Sequence, residues 1–388
     1  MKNIKWCSNC LAMSSRPRIS FDDRNFCNAC VWSIKKKKLN WDKNLKKLNS
    51  FIKKNKKKIN WKERRVEFNK IIKKHKIICK NNDYNCIVPV SGGKDGSFVY
   101  ERVKNKLKLN PLAVTINPAL PQKLGKINLE NFIASGAPLI EVNPPYDVMR
   151  KLNFLGFKHV GFPYFGWLTA IHTAVFRIAQ NFNIKLIFYG EDGELEYGGV
   201  TEKENKIFND VNFQKKYYLA NNLNKILKKS NLKEKDLYFF TYPKKINDIK
   251  LTHYSCFENW NPYTNYLIAK KKYGLQENKN TNVGTFSNFA QNDQKLYALH
   301  TYLMYLKYGF GRANQDASIE IRRGAMKRSQ GIELVKLYDN QYPSLFLKDY
   351  LKYYKITKNE FDKIIDKWAN KKLFYKKNNR WYPKFEIK

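Results

Sequence analysis

The chain has 388 residues, 43% of them hydrophobic and 15% aromatic, which provides for a sizeable core and excludes a wholly disordered protein. Seventy-four basic residues against 33 acidic ones give a net charge of +41, the balance of a protein with a nucleic-acid or other anionic partner. Lys far outnumbers Arg, however, and Lys, Asn, Ile, Tyr and Phe are abundant together as AT-rich codons would supply, so composition is favoured over nucleic-acid binding.

No run reaches the roughly 18–20 apolar residues that span a bilayer. The nearest, 160–171, contains Pro163, and the opening MKNIKWCSNC lacks the apolar core of a signal peptide. A cytoplasmic protein is expected, in which a cysteine cluster binds metal rather than forming disulfides. Cys7-x-x-Cys10 and Cys27-x-x-Cys30, sixteen residues apart, have the spacing of a four-thiolate zinc site. With no ligand position left for water, Zn²⁺ there is structural, and residues 1–32 are expected to form a zinc ribbon.

Residues 33–80 are lysine-dense. Trp41, Leu45, Leu48 and Ile52 form one apolar stripe at helical spacing, so a helical connector is expected. From 81 to 200 strands alternate with helices: strands over 86–90, 112–117, 139–143 and 186–190, helices near 97–108, 127–135 and 167–182. That rhythm predicts an α/β domain built on a parallel sheet, with ligands beyond the carboxyl ends of the strands. Three stretches fall at such ends: the glycine loop after residue 90, Thr115-Ile116-Asn117, and Gly190-Glu191-Asp192. Residues 201–388 read as mainly helical, a region for substrate and partner binding.

The glycine loop is Ser91-Gly92-Gly93-Lys94-Asp95-Gly96-Ser97. It follows an apolar strand yet lacks the Walker order. The glycines admit unusual dihedrals and a close approach of backbone N–H groups to an anion. Ser91, Ser97 and the helix N-terminus add donors, and Lys94 adds a full charge. Each charge-assisted hydrogen bond contributes about 1.5–3 kcal/mol, so the set can hold a polyphosphate.

SGGKDGS resembles the SGGxDS loop of the PP-loop ATP pyrophosphatases, with Gly96 as an extra residue. Further stretches, CSNC…RPRISFDDRNFCNAC, LIFYGEDGELEYGG, the block from Asn282 to Met326 and LVKLYDNQYP, resemble the N-acetyl sugar amidotransferases of bacterial surface-polysaccharide and flagellin-glycan synthesis. The resemblance runs from the ribbon to about residue 343. One departure, Arg18 where RPGI would have Gly, is expected to alter only the ribbon surface.

The resemblance implies a PP-loop, Rossmann-like fold of the adenine nucleotide alpha-hydrolase type, with the ribbon and a mostly helical C-terminal region. It implies ATP, cut between its α and β phosphates, and a reaction in which the acetamido oxygen of a sugar (a nonulosonate such as pseudaminic acid, or a nucleotide sugar) is adenylated and ammonia displaces AMP to leave an acetamidino group. Within that family Lys94 and Asp95, with Glu191 and Asp192, become the catalytic candidates, the carboxylates as Mg²⁺ ligands or as a base for ammonium. Their bland alternative is turn and cap chemistry. Arg322 and Arg323 are candidates for gripping a substrate carboxylate or phosphate, against the alternative of a solvated basic face. The five histidines show no metal spacing.

Ammonia needs a source. A glutaminase with an N-terminal nucleophile would have Cys directly after Met1, where Lys2 stands, and no His-x-Glu occurs. A separate glutaminase subunit is therefore expected, with a channelling cyclase-like partner. The alternatives are a PP-loop tRNA-modifying enzyme, of thiolase or lysidine-ligase type, and a non-enzymatic zinc-ribbon nucleic-acid-binding protein.

Overall fold

The structure is a computed structural model that describes residues 4–37, 39, 41, 44–50, 84–200, 207–219, 221–244, 246 and 249–388. Helix α1 (Asn28–Lys36) leads out of the second cysteine pair. The connector expected over 33–80 lies largely outside the described residues, Ile52 included. Where described, Leu48 is fully buried and Leu45 packs beside it, against the core cluster of the sheet.

Five parallel strands form the central sheet: β1 (Cys86–Pro89), β2 (Pro111–Ile116), β3 (Leu139–Val142), β4 (Leu186–Tyr189) and β5 (Lys250–His253). Their order, β3-β2-β1-β4-β5, reverses direction between β1 and β4. Side chains alternate between faces along each strand. Ile87, Val114 and Ile187 point to one core cluster, with Ala170, Ala174 and Phe176 of the helix Phe165–Asn181. Val88, Ala113 and Phe188 point to the other, with Phe98, Tyr254 and Trp260. Both faces are covered, which explains why the strands read as continuous apolar runs.

The first four strands stand where the alternation predicts them, but the sheet does not end at residue 200. Its fifth strand arrives after residues 207–249, and a four-residue stretch holding Lys250, Thr252 and His253 carries too little apolar signal to be read as a strand. The C-terminal region is mainly helical, as expected, apart from a closing hairpin, β6 (Phe374–Lys377) and β7 (Arg380–Pro383). Asn378 and Asn379 make its two-residue turn, with φ of 48° and 57°.

Candidate active site

In an open α/β sheet the crevice for a ligand opens where the strand order reverses. Here that is between the carboxyl ends of β1 and β4. After β1 the chain turns through Ser91-Gly92-Gly93 into α2 (Lys94–Glu101), a helix with Gly93 at its N-cap. Gly92 has φ +77°, and a Cβ there would lie 2.6 Å from the Asn128 carbonyl carbon. The loop is therefore a cradle of bare backbone pressed against the next helix, open only to a ligand from the other side. Gly96 lets α2 lie on β1, since its Cβ would be 3.0 Å from the Pro89 oxygen. Lys94 is buried and bonded to Asp95, whose Oδ1 also accepts a bond of 3.1 Å from Asn265 Nδ2. Ser97 faces inward, fully buried, and its hydroxyl finds no partner among the described residues.

After β4, Gly190 brings the strand end under α2: a Cβ there would meet Asp95 Cβ at 3.5 Å and the Trp260 ring at 3.2 Å. Glu191 follows, and its carboxylate accepts bonds from Tyr197 Oη at 2.7 Å and Trp260 Nε1 at 3.1 Å. Burial and the charge of Asp95 push its pKa up, against the opposing pull of Lys94 and Arg312. Asp192 takes a different place. It caps the short helix Gly193–Glu196 through Glu194 N at 3.1 Å and accepts from Tyr218 Oη at 3.1 Å, with His253 Nδ1 at 3.6 Å. Thr115 is buried at the end of β2, the Ile116 carbonyl accepts from Trp167 Nε1 at 2.8 Å, and the Asn117 amide turns to Glu141 and Asn143 on the β3 side. The glycine loop, Gly190 and Glu191 are thus brought together, while Asp192 and residues 115–117 are held by protein contacts around them.

The opposite wall comes from far along the chain. Gln122 N donates to the Asp293 carbonyl (3.0 Å) and Lys295 N to that of Leu120 (2.9 Å). A Cβ on Gly125 would lie 2.8 Å from the Asn292 oxygen, so the backbones touch. This pairing sets Asp293 beside Ser91, and burial pushes its carboxyl pKa up to about 6. Arg312 opens a following helix, paired with Asp316 at 2.8 Å. Between the walls lies a cavity of about 240 Å³ onto which Ser91, Gly93, Lys94, Asn128, Asp293 and Arg312 all face. Asp293 and Arg312 were missed from the sequence because nothing local marks them; the surrounding family-like block was their only signal.

The four cysteines of the ribbon are buried, with all four Sγ within 4.8 Å of one another. Cys7–Cys30 and Cys10–Cys27 are both 3.7 Å apart. Thiolates about 2.3 Å from one tetrahedral ion stand about 3.8 Å from each other, so the set fits a single ion. Arg322, expected at the substrate, belongs to this cluster: NH1 lies 3.5 Å from Cys10 Sγ and NH2 donates to the Glu196 carbonyl at 2.8 Å. Its helix packs on the ribbon, which spends the guanidinium there. Arg323 is held by Glu320 and Asn261, both at 2.6 Å.

The ribbon also grips the loop after β4. Asn28 donates to the Gly199 carbonyl at 2.5 Å and Arg16 to that of Gly198 at 3.0 Å, while Lys36 sits 2.8 Å from Glu196. Arg18 corrects a second expectation. It adopts φ +65°, the conformation Gly favours, and forks onto Glu194 at 2.5 and 3.0 Å, so the substitution reaches past the ribbon surface.

Residues 283–386 match the family described as LPS biosynthesis protein WbpG-like, C-terminal domain. Over that segment, about a quarter of the chain, the protein is similar to the WbpG-like family. The matched segment holds Asp293, Arg312 and Arg322, and so includes one wall of the cavity and the arginine on the cysteine cluster. A search of curated proteins finds no match. Among solved structures, the U34-tRNA thiolase NcsA from Methanococcus maripaludis with its [4Fe-4S] cluster is 13% identical, covering 63% of this chain and 72% of that one. Its TM-score is 0.29, too loose a superposition to carry a functional argument. No helix among the described residues is long and apolar enough to cross a membrane.

Proposed function

We propose that this chain is an ATP-dependent amidotransferase of LPS biosynthesis that converts an acetamido group of a sugar to acetamidino, releasing AMP and pyrophosphate. The observation that carries the reading is that one cavity joins the Ser91–Lys94 cradle to the Asp293–Arg312 wall of a WbpG-like domain. The loop amides, Ser91 and Lys94 would hold the polyphosphate. ATP supplies the activating group that turns the amide oxygen into a leaving group. Arg312 supplies positive charge opposite Lys94, and such preorganised charge is the main device for transfer at phosphorus. Asp293 is the carboxylate that faces the cavity, and Glu191, behind the glycine loop, would bind Mg²⁺ or deprotonate ammonium, its raised pKa favouring the second role. One Zn²⁺ on Cys7, Cys10, Cys27 and Cys30 is the structural metal. Ammonia comes from a separate glutaminase, with a channelling partner, in the cytoplasm.

A tRNA thiolase reading would need reactive cysteines near the nucleotide. Among the described residues, the cysteines outside the cluster are Cys86, sealed in β1, and Cys256, half-buried. The test is product analysis with ATP, Mg²⁺, ammonium and acetamido sugars. AMP and an amidine are expected; ADP as the main nucleotide product would overturn the reading.

A further inference from the structure

A second cavity, of about 520 Å³, adjoins the first, and His300, Met304 and Gln315 border both. Its lining carries Arg16, Arg18, His159 and Lys307 and no carboxylate. Of the acids around it, Glu194 is bonded to Arg18 and Asp192 to Tyr218. Arg16 gives its Nε–H to the Gly198 carbonyl, and its guanidinium makes no other hydrogen bond among the described residues, lying between the rings of Tyr197 at 5.7 Å and Phe310 at 5.5 Å. Lys307 gives one N–H to the Val160 carbonyl at 3.0 Å, flanked by Tyr308 and Trp368, both at 5.1 Å. Burial lowers both cations, Arg16 to about 10 and Lys307 to about 8, and leaves them charged near neutrality.

Both cations are half-buried and have no carboxylate partner among the described residues, so each has lost part of its hydration, which an anion in this space would offset. Aromatic edges beside cations suit the mixed apolar and polar faces of a pyranose ring. At the shared border, the His300 ring packs on Phe162 at 4.5 Å and Tyr164 at 5.0 Å, and its buried Nδ1 finds no partner among the described residues. A ligand amide there would satisfy it.

We propose that this cavity is the sugar subsite: Arg16 and Lys307 grip the anionic group of an acidic acetamido sugar, whose acetamido group reaches past His300 and Gln315 into the nucleotide cavity. This rests on the reaction proposed above, and what it adds is the place of the sugar's carboxylate or phosphate, between the ribbon and the helix that carries Lys307. It also explains why the basic clamp expected at Arg322 is not there: the surplus charge comes from the ribbon and from the helix that carries Lys307.

The test is calorimetric binding to the full chain of N-acetylneuraminate, UDP-N-acetylglucosamine and neutral N-acetylglucosamine. At least one of the two anionic sugars should bind about tenfold or more tightly than the neutral one, the carboxylated and phosphorylated probes telling the two anions apart. Arg16→Gln and Lys307→Gln should each weaken that binding about 10- to 100-fold, one charge-assisted bond apiece. ATP affinity should be unchanged, which also certifies the folded state of each variant. Equal binding of all three sugars, or wild-type sugar affinity in both variants, overturns the proposal. Amidine formed with wild-type sugar KM in both variants rejects the subsite and keeps the reaction. Anionic binding lost in the variants, with no AMP formed from any acetamido sugar, keeps the subsite and rejects the reaction.

Discussion

The bond between Lys36 and Glu196 gives the sharpest test of how the ribbon is fastened to the sheet domain. Lys36 Nζ lies 2.8 Å from both Glu196 oxygens, with side-chain exposures of only 8% and 11%. Lys36→Met removes the cation and leaves a carboxylate buried. Breaking a buried pair in this way costs about 3–5 kcal/mol. Arg322, bonded to the Glu196 carbonyl, leaves some positive charge nearby and favours the lower figure, about 3 kcal/mol. At about 2.1 cal/mol/K per residue, unfolding the whole chain carries about 0.8 kcal/mol/K of entropy, so Tm should fall by about 4 °C.

The companion variant Glu196→Leu and the double variant complete a cycle. Replacing both charges by apolar groups is near neutral, so the double variant should recover to within about 1 kcal/mol of wild type. Thermal unfolding followed by tryptophan fluorescence measures all four proteins. A double variant whose loss equals the sum of the two single losses would refute the reasoning, because the pair would then contribute no coupling.

Cys27→Ser should lose the single metal equivalent measurable by elemental analysis, and with it much of the roughly 10 kcal/mol that a structural zinc contributes. A well-folded wild-type protein free of metal would refute this. Asp339 accepts bonds from Gly311 N at 2.7 Å and Asn314 N at 3.2 Å, yet burial raises its pKa from 3.8 to about 7. A carboxyl raised in the folded state stabilises below its unfolded pKa, and that contribution is lost as pH rises through the folded value. Asp339→Asn should therefore gain stability relative to wild type between about pH 4 and about pH 7, and a pH-independent difference in denaturant midpoints would refute it.

The elements readable from the sequence are those whose signal is local. Buried on both faces, β1, β2 and β4 show nearly unbroken apolar runs, and the glycine loop and cysteine pairs declare themselves by spacing. Strand β5 does not, because pairing beside β4 rather than composition makes Lys250–His253 a strand. The hairpin turn Asn378-Asn379 was legible in principle, as adjacent asparagines suit left-handed turns. Asp192 shows where local chemistry is ambiguous: a carboxylate after a strand reads equally as ligand or cap, and the buried Tyr218 and Glu194 contacts make it a cap. Asp293, Arg312 and Arg322 gain their places from tertiary contacts with residues 91, 197 and 10, and no window of sequence contains both partners.

The ribbon's docking contacts also set a schedule. Leu11 N donates to Ser318 Oγ at 3.2 Å, Asn314 Nδ2 to the Leu11 carbonyl at 2.8 Å and Arg328 Nε to the Cys10 carbonyl at 3.4 Å. Residues 7–30 can fold once they leave the ribosome, yet this part of the surface they dock against is synthesised about 300 residues later. At about 5–20 residues per second the module waits on the order of 15–60 s with Leu11 and the cysteine knuckles uncovered. Docking therefore has two stages: the loop at 194–199 offers the first seat, and a nascent chain released before residue 328 lacks the second, under Cys10 and Leu11.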